Sequence, residues 1–218
     1  QLKKIYECKL KSISRVYNGI DITYRPDKND PSIIAQINKF RDLNYKIIGS
    51  YAYLTRIKGL EQLIKVLEKR KDLAVVIIGE GEAKNELIEL SRTLNVIDRT
   101  LFLDYLPTPY NYLSLFDVYA MCSRSEGFGL AAVEATLMQT PVVCSNISIF
   151  KEIFDDTKVS FFELDNISSL LESINIAIST IGKLKAKVAL NYSLNNFSGY
   201  KMASNYLDIY SNLLNGKI

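Results

Sequence analysis

The sequence predicts an α/β fold, in which a doubly wound, mostly parallel sheet of six strands is flanked by helices and followed by a helical C-terminal extension. Short runs rich in β-branched residues alternate with longer segments whose apolar residues recur at the helical period. Such alternation indicates βαβ units around a parallel sheet. Several glycines also fall at or just past the ends of the predicted strands, as in Rossmann-like sheets, which bind ligands at the carboxyl ends of their strands.

The predicted strands are short and mostly apolar, as expected of strands that are covered on both faces. They span residues 46–51, 73–78, 100–103, 117–122, 141–144 and 158–162. Helical spacing predicts the intervening helices at 60–69, 83–94, 110–116 and 129–138. Residues 46–195 therefore form the predicted Rossmann-like domain.

The flanking segments have a different character. Residues 1–45 are predicted to be a linker that contains a short strand at 13–16 and a helix at 33–43. Amphipathic spacing predicts a helix at 167–181, and residues 196–218 form a predicted closing helix, strongest at 200–214. We expect the aromatic residues of that last helix, Tyr200, Tyr206 and Tyr210, to pack on this domain, and packing on an absent neighbour is the alternative.

Composition excludes several classes of protein. The 218 residues are 48% hydrophobic and 23% charged, which is ordinary for a globular chain, and a net charge of +3 is too small to predict nucleic-acid binding. No apolar run reaches the roughly 18 residues of a membrane span. There is no histidine, and Cys8, Cys122 and Cys144 are too far apart for a zinc site. We interpret these cysteines as reduced thiols, the last two buried, in a cytoplasmic protein without a metal.

One segment combines glycines and carboxylates where a buried strand leads into a helix. Residues 123–134 have the sequence SRSEGFGLAAVE. Glycines allow backbone N–H groups to approach a ligand closely, and a helix N-terminus attracts anions such as a diphosphate. Glu126 and Glu134 flank this region, and carboxylates accept hydrogen bonds from the hydroxyl groups of a ribose or a hexose. The segment therefore indicates a site for a phosphate and a sugar, and the alternative is an ordinary strand–loop–helix turn with an exposed glutamate and an amphipathic helix.

These two glutamates enclose seven residues, and Pro141-Val142-Val143 follows. This pattern resembles the Glu-x7-Glu motif of retaining glycosyltransferases of family 4, whose fold pairs two Rossmann-like domains across a donor cleft. Further segments resemble the family in order: the NGID turn at 18–21, Lys58-Gly59, the glycine turn at 79–81, the loop at 102–106 and the helix at 197–210. The resemblance covers about residues 16–214 and only the C-terminal, donor-binding half of the fold.

The resemblance implies a role for each matching residue. Lys58 would pair with the donor diphosphate and stabilise charge on the leaving phosphate. Glu134 would accept both ribose hydroxyls, and Glu126 would contact the transferred sugar or its developing positive charge. The implied binding residues further include Gly127, Phe128, Gly129 and Leu130 through their backbone N–H groups, Tyr105 beside the base, and Gly79 and Gly81, for which a purely structural role in a turn stays equally open.

The sequence also departs from the family pattern. An arginine usually stands five residues before the lysine and grips the diphosphate with it, whereas Tyr53 occupies that position here. A tyrosine can donate a hydrogen bond to a phosphate but adds no charge. Arg56 is close enough in sequence to Lys58 to compensate by another route. The glycine that commonly follows the motif helix is replaced by Gln139.

The sequence therefore predicts the C-terminal half of a retaining, metal-independent glycosyltransferase with no cofactor. The expected donor is a UDP-, GDP- or ADP-sugar, and the expected acceptor is a glycan or glycolipid. We expect the acceptor domain outside this chain or on a partner chain, with any contact with the inner face of the membrane made through that domain. Two alternatives remain: a nucleotide-binding module that has lost transferase activity, and a sugar-nucleotide epimerase of the same architecture. A purely structural role leaves the glycines and carboxylates unexplained.

Overall fold

The computed structural model describes residues 13–21 and 29–215. This part of the chain contains one six-stranded sheet in which every neighbouring pair of strands is parallel. The strand order is β3-β2-β1-β4-β5-β6, so the predicted α/β sheet is confirmed. The strands are β1 (Lys46–Tyr51), β2 (Leu73–Ile78), β3 (Thr100–Leu103), β4 (Val118–Met121), β5 (Val142–Ser145) and β6 (Ser160–Phe162).

Helices cover both faces of this sheet. They are α1 (Pro31–Asp42), α2 (Glu61–Lys69), α3 (Lys84–Thr93), α4 (Leu130–Leu137), α5 (Ser148–Ile153), α6 (Ile167–Ile178), α7 (Thr180–Asn196) and α8 (Gly199–Leu214). Short 3₁₀ turns occur at Arg56–Lys58, Ile97–Arg99 and Pro109–Leu115, the last of these where the sequence predicts an α-helix at 110–116.

Two hydrophobic cores result, one on each face of the sheet, because successive residues of a strand point to opposite sides. Ile47 belongs to the core beneath α1, α4 and α5, and its neighbour Ile48 belongs to the core beneath α2, α3 and α6. β2 is buried along its whole length, as its uninterrupted apolar sequence predicts.

The strand order places a topological switch point between β1 and β4. After β1 the chain continues through α2 on one face, and after β4 it continues through α4 on the other face. The two connections leave the sheet in opposite directions, so a crevice opens at the carboxyl ends of these strands. The candidate functional site lies in this crevice.

One local prediction at the N-terminal side was wrong, and one helix after β5 was not predicted. Residues 13–16 form no strand; instead Ile20 makes an isolated parallel bridge with Ser198, at the start of α8. Helix α5 was missed because its six residues are too few to show a helical period.

The predicted helix at 167–181 is interrupted at Ser179, whose side chain caps the N-terminus of α7. Helix α7 was largely missed because it buries small residues, namely Gly182, Ala186, Ala189 and Ser193, so that it lacks the large apolar stripe by which sequence patterns identify a helix.

The closing helix forms as predicted, but the expectation that its aromatic residues pack on this domain was wrong. No side chain of α8 is buried within the described part of the chain. Tyr200, Tyr206 and Tyr210 are 86%, 44% and 56% exposed. These rings therefore contribute to an apolar surface rather than to the core.

The cysteine prediction is tested for two of the three residues. Cys122 and Cys144 are free thiols and fully buried, whereas Cys8 lies outside the described residues. Among the helices that the structure describes, none is long and apolar enough to cross a membrane. Residues 13–21 and 29–215 contain no group of three histidine, cysteine or acidic side chains that could hold a metal ion.

Candidate active site

A cleft of about 670 Å³ opens at the carboxyl ends of β1 and β4. Its walls come from the end of β1, from the turn before α2, from the loop after β4 and from the first turns of α4. The lining residues include Asn18, Tyr51, Lys58, Ser123, Glu126, Gly127, Phe128, Gly129, Leu130 and Glu134. The structure thus brings together the predicted carboxylates, the lysine and the glycine loop in one cavity.

Glu134 lies in the second turn of α4, and Tyr51 is the last residue of β1. The Tyr51 hydroxyl donates a hydrogen bond to Glu134 Oε2. Burial raises the pKa of Glu134, and the hydrogen bond from Tyr51 partly opposes this rise. Burial, together with the nearby Tyr119 and Glu134, raises the pKa of Tyr51 well above its ordinary value. Tyr51 is therefore a neutral hydrogen-bond donor to the carboxylate.

Lys58 and Glu126 form an ion pair across the cleft. The distance from Lys58 Nζ to Glu126 Oε1 is 2.7 Å, and the side chains are 23% and 10% exposed. Ser123 Oγ donates a second hydrogen bond of 2.7 Å to the same carboxylate oxygen. The cleft thus holds an ammonium group that can bind an anion and a carboxylate that can accept hydroxyl hydrogen bonds or stabilise positive charge.

The turn that carries Lys58 is fastened to the end of β4. Gly59 ends it with a φ of 62°, and a Cβ there would lie 2.3 Å from the carbonyl oxygen of Cys122. The Gln62 side-chain amide donates hydrogen bonds to the backbone carbonyl oxygens of Gly59 and Cys122, at 3.1 Å and 3.3 Å. A side chain at residue 59 would therefore displace Lys58 from the cleft.

Arg124 holds the same turn from the solvent side. Its guanidinium group pairs with Glu61 and Asp165 and donates a 2.9 Å hydrogen bond to the carbonyl oxygen of Arg56. Its backbone N–H donates a 2.8 Å hydrogen bond to Ile57. Arg124 therefore fixes the distance between the two walls that carry Lys58 and Glu126.

The glycine loop opens the N-terminus of α4 to the cleft. Gly129 precedes the helix with a φ of 87°, and a Cβ there would lie 2.4 Å from the ring of Phe150. A Cβ on Gly127 would meet no atom within 4 Å. No side chain caps the N-terminus of α4, and Leu130 is 43% exposed beside it. Uncapped backbone donors at this end can bind an anion.

Phe128 has a different role from its neighbours in the loop. Its ring packs against Tyr17 and Phe197, with centroid distances of 5.9 Å and 5.6 Å. Its ring is thus held by aromatic contacts within the protein, and a ligand contact through its backbone N–H group stays a prediction. The aromatic packing joins the glycine loop to the segment before α8.

Several predicted binding residues lie outside the set that lines the cleft. The Arg56 guanidinium group pairs with Glu86 at 2.7 Å and is 82% exposed, so the predicted compensation for the missing arginine is not seen. Tyr53 and Tyr105 are 67% and 66% exposed on loops beyond β1 and β3.

Gly79 and Gly81 also lie outside this set. Each has a positive φ, and a Cβ would lie 2.0 Å and 2.3 Å from the carbonyl oxygens of Ala52 and Leu54. Their geometry favours the structural alternative, in which glycine is needed because the turn after β2 packs directly on the segment after β1.

Sequence reasoning missed several residues that line the cleft, and three of them have polar side chains that bear on the site. Tyr51 was seen only as a strand residue and Ser123 only as part of the loop. Asn18 was noted within the NGID turn but not assigned to the site. The next residue, Gly19, fits beneath the carbonyl of Ser198, 2.4 Å from the position of a Cβ. That contact anchors the turn and places Asn18 at the cleft.

Comparison with known proteins agrees with this geometry. The family model described as "Glycosyl transferases group 1" matches residues 33–189. The O-antigen biosynthesis glycosyltransferase WclY of Escherichia coli is 35% identical over 202 residues, 91% of this chain and 55% of WclY. The N-acetylgalactosamine-N,N'-diacetylbacillosaminyl-diphospho-undecaprenol 4-alpha-N-acetylgalactosaminyltransferase of Campylobacter jejuni is 31% identical over 162 residues, 73% of this chain and 42% of that enzyme.

Among solved structures, HepE of Anabaena in complex with UDP and glucose superposes with a TM-score of 0.77 at 23% identity, covering 91% of this chain and 55% of HepE. This likeness shows a shared fold. The chain spans about half the length of the relatives that it matches. The match over more than half of the chain, the 35% identity to WclY and the Glu-x7-Glu cleft together show that this chain belongs to the group 1 glycosyl transferase family.

Proposed function

We propose that this chain is the donor-binding half of a retaining glycosyltransferase that transfers a sugar from a UDP-sugar to a glycan or glycolipid acceptor. The observation that carries the proposal is the arrangement of one cation, two carboxylates and an uncapped helix N-terminus around a single cleft at the switch point. These are the groups that a nucleotide-diphospho-sugar requires: positive charge for the diphosphate and hydrogen-bond acceptors for the sugar hydroxyls.

The diphosphate binds between Lys58 and the N-terminus of α4 in this proposal. Breaking the bond between the sugar and the phosphate leaves the electron pair of that bond on the diphosphate, whose charge increases. The Lys58 ammonium group and the backbone N–H groups of 127–130 stabilise that charge. We propose that these groups take the role that a metal ion plays elsewhere, so that transfer needs no cofactor.

The two carboxylates contact different parts of the donor. Glu134, held by Tyr51, accepts hydrogen bonds from the ribose hydroxyls. Glu126, held by Ser123, faces Lys58 and therefore lies where the diphosphate meets the transferred sugar. Its negative charge can stabilise the positive charge that develops on the sugar as the bond breaks.

The choice of donor and acceptor draws on the relatives. HepE was crystallised in complex with UDP and glucose, which supports a UDP-sugar as donor. WclY is named for O-antigen biosynthesis, and the Campylobacter enzyme for a diphospho-undecaprenol substrate, which supports a glycan or glycolipid acceptor. Since the chain spans about half of these relatives, we propose that the acceptor binds mainly to a second domain.

One observation favours a second candidate, a nucleotide-binding module without transferase activity. Lys58 is the one basic side chain among the described residues that line the cleft, because Tyr53 replaces the usual arginine and Arg56 pairs with Glu86. A weaker hold on the diphosphate would preserve nucleotide binding while slowing transfer. The two candidates differ in turnover and not in binding.

Titration calorimetry tests the binding function that both candidates share. We expect UDP to bind more tightly than GDP or ADP, and Glu134→Gln to weaken UDP binding by about tenfold or more, since a hydrogen bond to a charged group contributes about 1.5–3 kcal/mol. Glu172→Gln is the matched control, because Glu172 is an exposed glutamate on α6. Equal UDP affinity in the wild type and in Glu134→Gln would refute the assignment of this cleft.

Transfer itself is tested with this chain together with the proposed acceptor domain, in the same chain or on a partner chain, and with a UDP-sugar and a lipid-linked glycan. A new glycoside with the anomeric configuration of the donor supports a retaining transferase. Release of an epimerised UDP-sugar would instead identify the epimerase alternative. Nucleotide binding with neither product would identify the binding module.

A further inference from the structure

We propose that Tyr51 is a positioning residue of the donor site, whose hydroxyl group holds the Glu134 carboxylate in the ionised form and the orientation that receive the ribose hydroxyls. This inference rests on the proposed function, because it assigns the ribose to Glu134. It adds to the donor site a residue from β1 that lies outside the Glu-x7-Glu segment. The contribution of this residue to UDP affinity can be measured separately from that of Glu134.

The geometry leaves one side of the carboxylate available for a ligand. Tyr51 donates its hydrogen bond to Oε2 of Glu134, and Oε1 has no hydrogen-bond partner among the described residues. A carboxylate oxygen can accept two hydrogen bonds. The tyrosine therefore fixes the carboxylate without using the atom that a ribose needs, and both residues line the cleft.

The Tyr51 side chain has little freedom to release the carboxylate. It is 9% exposed, and its ring centroid lies 5.0 Å from that of Tyr119 on the neighbouring strand β4. The Tyr119 hydroxyl donates a 3.3 Å hydrogen bond to the backbone carbonyl of Tyr51. A phenol fixed at its ring and at its backbone acts as a rigid donor, so that no ordering of Glu134 is needed when the nucleotide binds.

The charges around Glu134 explain why a donor is needed there. Burial disfavours its ionised form, whereas a ribose hydroxyl donates most strongly to an ionised carboxylate. Tyr119 from β4 and Tyr110 from the Pro109–Leu115 turn lie near the pair, and burial raises the pKa of Tyr119 well above its ordinary value. Helix α7 contacts α4 through the hydroxyl group of Ser193, which carries no charge.

The other titratable groups nearby do not replace the Tyr51 hydroxyl as a hydrogen-bond donor to Glu134. The Lys58 ammonium group already pairs with Glu126. From β5, the Cys144 thiol is buried, and burial raises its pKa. The Tyr51 hydroxyl is thus the donor that favours the ionised form of the Glu134 carboxylate.

The test compares Tyr51→Phe with the wild-type chain, using UDP and 2′,3′-dideoxy-UDP, which keeps the base and the diphosphate but lacks the ribose hydroxyls. We expect Tyr51→Phe to bind UDP about five- to tenfold more weakly, the effect of a typical hydrogen bond, and to bind the dideoxy nucleotide like the wild type. Tyr112→Phe is the matched control, because Tyr112 is a buried tyrosine whose hydroxyl accepts one hydrogen bond, from the Asp30 N–H, away from the cleft.

The pH profile of UDP binding gives a second readout that a purely structural role would not change. Without the Tyr51 donor the pKa of Glu134 rises further, so the acid-side loss of UDP affinity should move to higher pH in Tyr51→Phe. Equal UDP affinity and equal pH profiles would overturn the role of Tyr51 alone. An equal loss with both nucleotides would show that the residue acts only on packing. UDP binding that does not depend on Glu134 would overturn the proposed function as well.

Discussion

Replacement of Lys58 by alanine tests the central charge of the cleft. Its Nζ lies 2.7 Å from Glu126 and its side chain is 23% exposed, so its interactions are only partly screened. Two unit charges about 4 Å apart near a protein surface interact by about 4 kcal/mol. This is an upper limit for the diphosphate, because Lys58 must leave Glu126 to meet it. A charge-assisted hydrogen bond contributes about 1.5–3 kcal/mol, so we expect Lys58→Ala to weaken UDP binding by roughly 10- to 150-fold.

Calorimetric titration with UDP and with uridine separates this effect from general damage to the cleft. The loss should be seen with UDP and be less than about twofold with uridine, which has no phosphate for the ammonium group to contact. Lys65→Ala is the matched control, since Lys65 is an exposed lysine on α2 outside the cleft. A similar loss with uridine, or unchanged UDP affinity, would refute the reasoning that places the diphosphate at Lys58.

Three further predictions concern stability and reactivity. Gly129→Ala should lower the free energy of unfolding by at least about 2 kcal/mol in denaturant titrations, because an alanine with this positive φ is strained and its Cβ meets Phe150. The control Gly127→Ala should change the free energy of unfolding by less than about 0.5 kcal/mol. Equal losses in the two variants would contradict this prediction. A hydrogen bond from Lys158 helps lower the pKa of Asp155 to about 2 in the folded protein, so ionised Asp155 stabilises the fold above its unfolded-state pKa of about 3.9. The variant Asp155→Asn should therefore lose less stability than the wild type between pH 4 and pH 2. An equal loss of stability in both proteins would show that the ion pair has no effect. The two buried thiols should resist alkylation until the chain unfolds, and mass spectrometry that finds them modified in the native protein would contradict their burial.

The sheet could be predicted because its strands carry the signal within themselves. The run Leu73–Ile78 is apolar at every position, as expected of a strand that is covered on both faces. Strand order was not accessible to this reasoning, since the pairing of β1 with β4 joins segments that lie 70 residues apart at Ile48 and Val118. The bounds of helix α7 were not predicted, because the residues that it buries are small. A pattern of glycine, alanine and serine does not produce the large apolar stripe that identifies a helix in a sequence.

The site could be predicted as far as its loop and its charges, because Glu126, Glu134 and Lys58 stand in recognisable local patterns. The sequence did not show which side chains from other strands contact these residues. Tyr51 occupies the end of an ordinary strand, and only the fold shows that its hydroxyl meets Glu134. Arg56 shows the converse. Its closeness to Lys58 in sequence suggested a shared ligand, but residues two apart in a 3₁₀ turn point in different directions, and Arg56 faces α3.

The ion pair between Lys58 and Glu126 gives the proposed mechanism an order of events. Without a donor, each charge neutralises the other at 2.7 Å. A diphosphate entering beside the N-terminus of α4 competes for the ammonium group, and Glu126 then keeps only the hydrogen bond from Ser123. The carboxylate so released is the one placed to stabilise positive charge on the transferred sugar. In the proposed mechanism, donor binding and readiness for bond cleavage are therefore coupled through one lysine, and this coupling has greater weight because Tyr53 stands in place of a second cation.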